Sequence, residues 1–441
     1  MDVNNPHWSR IPREDGLAAF VKSSLHRVFE SYTGNLAVRL WNGDRLALGQ
    51  GTPSVTVVFD DPYVVRSLIL STDPLRLAEA YFRGAVHVEG DFDALLAQSA
   101  HFSSLKVPRA ERFRMLRALL LAPKAAQDRE PARPRGARTA RARFLPRHTR
   151  RAAREAIAFH YDVSNAFYET FLDEQLVYSC AYFEALGDTL DEAQCNKLDH
   201  ICRKLRMKPG ERLLDLGCGW GALLRWAARH YGVSAHGITL SEQQYAYARQ
   251  RARDEGLEHL VTVELRDYRD MQGQAVFDKI VSVGMFEHVG LKNLPLYFAT
   301  ARRLLKPEGL FLNHGITHDA EGWKRTLSTE FINRYVFPDG ELDTISNVQR
   351  EIERAGFEII DVESLRRHYA LTLRHWVRRL DANRDEALRH VRESTFRVWR
   401  LYMSACALAF EDGGTAVYQV LVSPRGSRLS GLPLTRRDLY E

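Results

Sequence analysis

An acid and a histidine stand side by side where a hydrophobic segment ends: residues 277–290 read FDKIVSVGMFEHVG. The β-forming residues before Glu287 and His288 predict a buried strand, and α/β proteins place their ligands at the ends of such strands. A carboxylate there either caps a turn or holds a reacting group and its proton. Because side chains alternate in direction, His288 is expected to point away from Glu287 and to be structural.

Three glycines and an acid form a second candidate site, in the segment LLDLGCGWGAL. Gly217, Gly219 and Gly221 lie between a predicted strand and its helix, where glycine lets the backbone approach a ligand closely. Asp215 precedes them on the strand. The spacing lacks the third glycine position of the dinucleotide fingerprint, so a different cofactor is favoured. A dinucleotide turn and a plain tight turn are the alternatives.

The elements that would position these residues alternate between strand and helix from about residue 155. Seven segments have strand character: 212–219, 233–240, 260–267, 279–286, 309–316, 357–364 and 416–423. Helical stretches separate the earlier ones, a pattern typical of a doubly wound α/β sheet. Between the sixth and seventh strands, residues 371–411 carry two long helical patterns. The second, TFRVWRLYMSACALAF, is apolar nearly all round, as expected of a helix that is buried or covers an apolar ligand.

Residues 1–120 predict a separate small α+β domain. Its first strands form a hairpin over 35–49 around the turn signal Asn-Gly-Asp, followed by a strand over 54–60. Short helices are expected at 62–70 and 73–84, and a capped helix within 87–102. No catalytic constellation is visible in this domain. Its acidic residues are expected to be caps and turn residues rather than metal ligands: Asp60, Asp61, Glu89, Asp91 and Asp93.

Residues 121–154 are predicted to be a basic linker to a catalytic domain over 155–441. Between Lys124 and Arg154 there are eleven Lys and Arg residues against two acids, and the chain has a net charge of +6. Such a segment is attracted to an anionic membrane surface. A plain solvated tether is the alternative, and nucleic acid is not expected because no nucleic-acid motif accompanies the arginines.

Cysteine usage and hydropathy exclude other classes. The five cysteines are scattered without a C-x-x-C pair, which argues against a disulfide framework or a metal site and fits a reducing cytoplasm. The N-terminus lacks the layout of a signal peptide, and no apolar run reaches the roughly 18–20 residues of a membrane span. A cytoplasmic protein is therefore expected.

Long ordered motifs then resemble one family. HYDVSNAFYETFLD with YSCAYF, SVGMFEHVG, YFATARRLLKPEGLFLNH, FINRYVFPDGELD and HYALTLRHW are closely similar to the cyclopropane-fatty-acyl-phospholipid synthase family, within the class I S-adenosylmethionine-dependent methyltransferases. The resemblance runs over roughly 155–425, and the first domain is more weakly similar to the accessory domain of the phospholipid-acting members. It implies a seven-stranded methyltransferase sheet with a helical lid.

The resemblance also implies a reaction and its setting. S-adenosylmethionine would give its methyl group to the cis double bond of unsaturated acyl chains in membrane phospholipids, and a bound bicarbonate would deprotonate the resulting carbocation so that a cyclopropane ring closes. A dry lid would exclude water from the cation, and the helices after the sixth strand and residues 317–342 are candidates for it. Peripheral association with the inner face of the membrane and a homodimer are further implications.

Residue by residue, the resemblance assigns two sets. Bicarbonate would be bound by Cys180, Glu287, His314 and Tyr369, with the backbone at Val283. S-adenosylmethionine would be bound by Tyr178, Ser179, Gly217, Gly219, Gln244 and Tyr268. The places of Asp215, Thr239 and Asp267 at strand ends add them to this set. One departure is that the second strand ends in GITLSEQQ, without the acid that often binds ribose hydroxyls in such enzymes. Cys180 as a small buried residue, and Asp267 with Tyr268 as a solvated strand end, are the alternatives.

Other functions stay open at this stage. A close variant of the reaction stops at a methyl-branched or methylene acyl chain. Amine N-methyltransferases share the HYD, YSC and EHV-like motifs, although the accessory domain and basic linker argue against that function. The third class is a lipid-binding protein that has lost catalysis, which the intact polar positions disfavour.

Overall fold

A computed structural model describes residues 14–62, 64–65, 75–98, 149, 163–324, 326–338, 340–428 and 432–440. The chain divides into two compact units. One contains Met1–Arg135 and Arg392–Leu401, and the other contains Gly136–Val391 and Tyr402–Glu441. The second part of the first unit is a segment that the sequence placed in the catalytic domain. Apart from Thr149, the predicted linker lies outside the described residues, as do His160 and Asp162 of the HYD motif.

The first unit contains a four-stranded sheet in the order β2-β1-β3-β4. Its elements are α1 (Glu14–Val28), β1 (Asn35–Arg39), β2 (Arg45–Gly49), β3 (Val55–Phe59), α2 (Arg76–Phe82), β4 (Val86–Gly90) and α3 (Phe92–Ala97). β1 and β2 pair antiparallel, which confirms the hairpin, and β1 pairs parallel with β3. Leu17 and Val21 of α1 join Val38 and Leu48 of the sheet in one apolar core.

The structure confirms one predicted cap in this unit and adds a strand that the sequence did not predict. Asp91 caps α3, since its carboxylate accepts the N–H groups of Asp93 and Ala94 at 3.0 Å, as its turn role predicts. β4 was not predicted, because its sequence VHVEG is short and is followed at once by the stronger helix signal. The helix expected at 62–70 lies largely outside the described residues.

The second unit is built on a seven-stranded mixed sheet in the order β10-β11-β9-β8-β5-β6-β7. The strands are β5 (Arg212–Leu216), β6 (Ser234–Thr239), β7 (Val261–Leu265), β8 (Phe277–Val283), β9 (Leu305–His318), β10 (Phe357–Ser364) and β11 (Thr415–Pro424). Each overlaps one of the seven predicted strands. β5 to β9 run parallel, whereas β11 pairs antiparallel with both β9 and β10. The predicted α/β fold is confirmed.

Helices cover both faces of this sheet. From residue 163 onwards the described helices are α4 (Asn165–Glu169), α5 (Leu190–Lys204), α6 (Ala222–Tyr231), α7 (Glu242–Asp254), α8 (Leu294–Leu304), α9 (Leu327–Tyr335), α10 (Ile345–Arg354), α11 (Arg366–Ala382), α12 (Arg384–His390) and α13 (Glu393–Asp412), and residues 393–401 of α13 belong to the first unit. One apolar core joins the sheet to α5, α6 and α7, and another joins it to α8 and α10. The doubly wound arrangement follows because both faces of a parallel sheet must be covered.

The helical pattern predicted over 371–391 is two helices rather than one. α11 begins earlier, at Arg366, and places Tyr369 in its first turn. Asn383 separates α11 from α12 and donates a hydrogen bond from Nδ2 to the carbonyl of Thr170 at 2.8 Å. Among the described helices, none combines the length and the apolar character that a membrane span requires.

Candidate active site

The glycine-rich segment turns sharply out of β5 and into α6. Gly217 has a φ of +96°, and a Cβ atom there would lie 2.8 Å from the side chain of Met285. Gly221 is the N-cap of α6 with a φ of +79°. Both positions therefore need glycine, for conformation and for space. The turn leaves main-chain atoms of this loop facing a cavity at the carboxyl ends of the strands.

One cavity brings together most of the residues that were assigned to the cofactor. Eight of them line it: Tyr178, Ser179, Asp215, Gly217, Gly219, Thr239, Gln244 and Tyr268. Val283, from the other predicted set, lines it as well. These residues come from five separate parts of the chain, and binding of a shared ligand would account for their meeting at one cavity. Their roles as ligands stay predictions.

The end of β6 replaces the missing acid with a hydroxyl and an amide. Thr239 donates a hydrogen bond from Oγ1 to Oε1 of Gln244 at 2.8 Å. Ser241 caps α7 by accepting the N–H of Gln244 at 3.3 Å. With its oxygen engaged by Thr239, the Gln244 side chain keeps its NH₂ group to donate to a ligand.

Asp267 does not line the cavity, unlike its neighbour Tyr268. Its carboxylate accepts hydrogen bonds from the backbone N–H and the Nε of Arg269, at 3.0 and 2.8 Å. The side chain is buried and ion-paired at the start of a short 3₁₀ turn. Burial raises the pKa of the Tyr268 hydroxyl to about 12, and this hydroxyl has no hydrogen-bond partner among the described residues.

His288, which was expected to be structural, lines the same cavity. Its ring centroid lies 5.2 Å from that of Phe337, and desolvation lowers its pKa to about 4. A neutral imidazole is therefore present at the cavity wall at neutral pH. Glu287 points elsewhere, towards β9, which agrees with the expected divergence of the two side chains.

Glu287 is a buried carboxylate with one oxygen engaged and one without a partner. Its Oε1 accepts the backbone N–H of Ile316 at 2.7 Å, whereas Oε2 has no partner among the described residues. Burial raises the pKa of Glu287 to about 7, against the opposing effect of the Ile316 N–H. Such a carboxylate has free capacity to accept a hydrogen bond from an acid.

His314 lies on β9, two residues before Ile316, whose N–H binds Glu287. Its backbone is paired with Val283 of β8, which brings these two predicted residues together. The Nδ1 atom lies 3.2 Å from Nε2 of Gln419, and the other ring nitrogen has no partner among the described residues. Burial holds the pKa of His314 well below its usual value, so the ring is neutral.

Cys180 and Tyr369 are brought together at one main-chain carbonyl. The Leu365 carbonyl accepts the N–H of Tyr369 at 3.0 Å and the thiol of Cys180 at 3.7 Å. The thiol also contacts the carbonyl of Ala181 at 3.3 Å. Burial raises the pKa of this thiol well above its usual range. Cys180 is therefore a protonated, buried group, which excludes thiolate chemistry in this state.

Aromatic rings enclose the region between these groups. Tyr178 stacks on Trp376 with centroids 5.1 Å apart, and Tyr369 packs against Phe410 at 4.6 Å. Tyr168 contacts Trp220 at 4.9 Å. Tyr168 and Tyr178 come from the aromatic segment that precedes the sheet, and the other rings follow β5 in the chain. Dense aromatic packing excludes water and lowers the local dielectric constant.

Sequence reasoning missed Lys197, which also lines the cavity. This lysine lies on the buried face of α5, between Ala193 and Ile201, where the helical period predicts an apolar residue. A charged residue in such an apolar stripe was the available signal. Gln419 was missed as well, because its contact with His314 joins distant segments.

Comparison with known proteins identifies the family. The model of the mycolic acid cyclopropane synthetase family matches residues 148–420, and a domain of unknown function (DUF7884) matches residues 20–105. A "Probable fatty acid methyltransferase" of Pseudomonas putida is 42% identical over 411 residues, covering 92% of this chain and 96% of the relative. The "Cyclopropane-fatty-acyl-phospholipid synthase" of Escherichia coli (strain K12) is 43% identical over 266 residues, covering 60% and 66%.

Solved structures agree with these matches. A crystal structure of mycolic acid cyclopropane synthase CmaA1 complexed with SAH and CTAB aligns with a TM-score of 0.57 at 35% identity, over 61% of this chain and 97% of that one. The family resemblance, the fold and S-adenosylmethionine as methyl donor are thereby confirmed. The chain belongs to the mycolic acid cyclopropane synthetase family and is an S-adenosylmethionine-dependent fatty acid methyltransferase.

Proposed function

We propose that this enzyme adds a methylene group across the cis double bond of unsaturated phospholipid acyl chains, forming a cyclopropane ring, with bound bicarbonate as the base. The observation that carries the proposal is two buried polar atoms, one on the short turn that follows β8 and one on β9. Glu287 Oε2 and His314 Nε2 both lack partners among the described residues. Buried polar atoms without partners are rare in native proteins and call for a ligand.

The residues of this chain fit the two small molecules. The glycine loop borders the cavity proposed for the methyl donor, and a Cβ atom at Gly217 would displace Met285, which lines the same cavity. When bound, S-adenosylmethionine supplies an electrophilic methyl group to the alkene, and bicarbonate takes up the proton that ring closure releases. Atoms balance, since the acyl chain gains one CH₂ and one proton leaves.

Each polar side chain has a distinct task towards the bicarbonate. Glu287 would accept a hydrogen bond from the hydroxyl of bicarbonate, which removes the repulsion that two bare anions would feel. His314, neutral with its proton on Nε2, would donate to an oxygen, as would the phenol of Tyr369. Cys180 adds at most a weak thiol donor, because its hydrogen is directed at main-chain carbonyls.

The aromatic wall supports carbocation chemistry in particular. A cation formed on an acyl chain is trapped by water unless water is excluded. The rings of Tyr178, Trp376 and Tyr369 contact one another in series, with Trp376 and Tyr369 buried and Tyr178 partly exposed. An aromatic face turned to a cation stabilises it by roughly 0.5–2 kcal/mol. An amine nucleophile needs neither this wall nor a bound base.

A methyl-branched or methylene product is the second candidate. The relative that spans nearly the whole chain is named a "Probable fatty acid methyltransferase" rather than a cyclopropane synthase. The same cation leads to all three outcomes. Loss of a proton from the new methyl group closes the ring, a hydride shift before that loss gives a methylene chain, and loss of a proton from a neighbouring chain carbon gives an unsaturated methyl-branched chain. Product structure decides between them.

The decisive experiment uses liposomes with cis-monounsaturated phospholipids, purified protein, S-adenosylmethionine and bicarbonate. The proposal expects acyl chains heavier by one CH₂, with NMR signals of ring protons at high field. Liposomes of saturated phospholipids are the control and give no product. A product with a branched methyl signal selects the second candidate, and the absence of any heavier chain overturns both.

We further propose that the enzyme binds the inner face of the membrane peripherally, through the basic segment between Lys124 and Arg154. Its eleven basic residues support this proposal. Binding to anionic vesicles should weaken strongly as ionic strength rises. Vesicle binding that is equal at low and high salt contradicts the electrostatic attachment. A homodimer, which the family resemblance implies, is tested by light scattering of the same preparation.

A further inference from the structure

Lys197 differs from the other buried lysines of this chain. Three lysines are buried among the described residues: Lys197, Lys204 and Lys279. Lys204 pairs with Glu363, and Lys279 lies 3.6 Å from Glu211. Lys197 has no carboxylate within 4.0 Å in the described part of the chain, and its Nζ donates to Ser179 Oγ at 2.9 Å. Its charge is thus buried without an ion pair.

Such a charge is costly unless a ligand compensates it. Removing an ammonium group from water costs several kcal/mol per ion, which a hydroxyl contact repays only in part. Lys197 is 2% exposed, and burial lowers its pKa to about 8. The nearby Asp173 is already engaged, since it accepts the N–H groups of Gln175 and Val177 at 2.9 and 2.8 Å.

Lys197 is not needed to hold the neighbouring segment around Ser179 in place. The backbone carbonyl of Ser179 is already bound by Gln194 Nε2 at 2.9 Å, and the N–H of Ala181 is bound by Thr372 Oγ1 at 3.0 Å. This segment is therefore anchored by two neutral groups that cost much less to bury. The ammonium group has a different purpose.

The position of Lys197 in the cavity indicates that purpose. Lys197, Ser179 and Asp215 all line the cavity that is bounded by the glycine loop. Asp215 is 3% exposed, and its Oδ1 has no partner among the described residues. A cation and a carboxyl group, whose pKa burial raises to about 7, thus face one cavity, each short of partners. Their complement is a zwitterion that carries a carboxylate and an ammonium group.

We propose that Lys197, together with the hydroxyl of Ser179, binds the α-carboxylate of the methionine portion of S-adenosylmethionine, while Asp215 faces its α-ammonium group. The proposal rests on the methyl-donor site used by the proposed function. Lys197 thereby selects the donor among adenosyl compounds and fixes the orientation of its sulfonium end. It is a binding residue and takes no part in proton transfer.

The test compares S-adenosylmethionine with its decarboxylated analogue, which lacks only the α-carboxylate. Calorimetric titration of the full-length protein should show wild type binding S-adenosylmethionine tighter by roughly 30-fold or more. Lys197→Met should lose most of this preference, because S-adenosylmethionine then buries an uncompensated carboxylate. Its affinity for the decarboxylated analogue should stay within about threefold of wild type.

Two variants control for folding and for the hydroxyl. Lys204→Met removes another buried lysine of the same helix, so it should lower thermal stability and leave the preference between the two ligands unchanged. Ser179→Ala removes only the hydroxyl and leaves the charge of Lys197 in place, so it should reduce the preference for S-adenosylmethionine only in part. If wild type binds both ligands equally, or if Lys197→Met weakens both by the same factor, the proposal is wrong.

This result is independent of the lipid product. If the liposomes yield no heavier acyl chain but the ligand preference appears and depends on Lys197, the proposed function fails while this inference stands. If the cyclopropane product forms but the preference is absent in wild type, the inference alone fails.

Discussion

Gln419 and His314 are directly paired residues on the neighbouring antiparallel strands β11 and β9, and their side chains meet in the interior with Gln419 Nε2 3.2 Å from His314 Nδ1. An amide nitrogen only donates, so Nδ1 accepts and the ring proton resides on Nε2. This is the ring atom that has no partner among the described residues. Gln419 is therefore a positioning residue that sets His314 as a donor.

Gln419→Met should lower turnover roughly tenfold, because losing this hydrogen bond lets the imidazole proton move to Nδ1. The bicarbonate concentration needed for half-maximal rate should rise, whereas the dissociation constant of S-adenosylmethionine should not change. Gln419→Glu separates tautomer from packing, since a carboxylate of equal size accepts from Nδ1–H and removes the proton from Nε2. A Gln419→Glu enzyme with normal bicarbonate dependence contradicts the tautomer argument.

Replacing Glu287 should affect the base and spare the cofactor. Glu287→Gln removes the acceptor proposed for the bicarbonate hydroxyl, so turnover should fall by roughly 10²-fold and bicarbonate should bind more weakly. Titration with S-adenosylmethionine should give an affinity within about twofold of wild type, because Glu287 does not line the cofactor cavity. A large loss of cofactor binding would show that Glu287 has been assigned to the wrong ligand.

The same variant tests the buried charge through stability. Burial raises the pKa of Glu287 to about 7 in the folded protein, above its ordinary value of 4.5. The folded state therefore binds the proton more tightly, and the stability this provides is complete below pH 4.5 and lost as pH rises through 7. Relative to wild type, Glu287→Gln should gain on the order of 3 kcal/mol between pH 5 and pH 8. Melting curves of both proteins across this range give the difference, and a constant difference contradicts the raised pKa.

The sequence predicted the features of this protein that depend on local residue patterns. All seven strands of the large sheet carry continuous β-forming segments. The three closely spaced glycines after β5 indicate a turn at which the backbone can approach a ligand. The ligand residues were assigned by motif resemblance, and eight of those assigned to the cofactor meet at one cavity. These residues meet because strand ends converge at one edge of a parallel sheet, and their roles as ligands stay predictions.

The features that sequence reasoning missed depend on contacts between distant segments. The helical period places Lys197 in an apolar stripe, but nothing near it in the sequence shows that its charge is buried beside Ser179. Gln419 gains its role only through antiparallel pairing with His314. The break at Asn383 depends on a hydrogen bond to Thr170, more than 200 residues away. Tertiary contacts override local propensity at each of these positions.

Gly217→Ala should damage both the fold and the cofactor site. The φ of +96° strains any residue with a Cβ atom by roughly 1–3 kcal/mol, and here that atom would also lie 2.8 Å from Met285. Gly210 is a matched control: it has a φ of +81° but open space around its Cβ position, and it does not line the cavity.

Gly210→Ala should therefore lose stability from strain alone and bind S-adenosylmethionine normally. Gly217→Ala should lose more stability and at least tenfold in affinity, because Met285 must shift into the cavity that it lines. Chemical denaturation and calorimetric titration of the two variants measure both effects. Equal cofactor affinity in the two variants would mean that the close approach of Gly217 to Met285 does not shape the binding site.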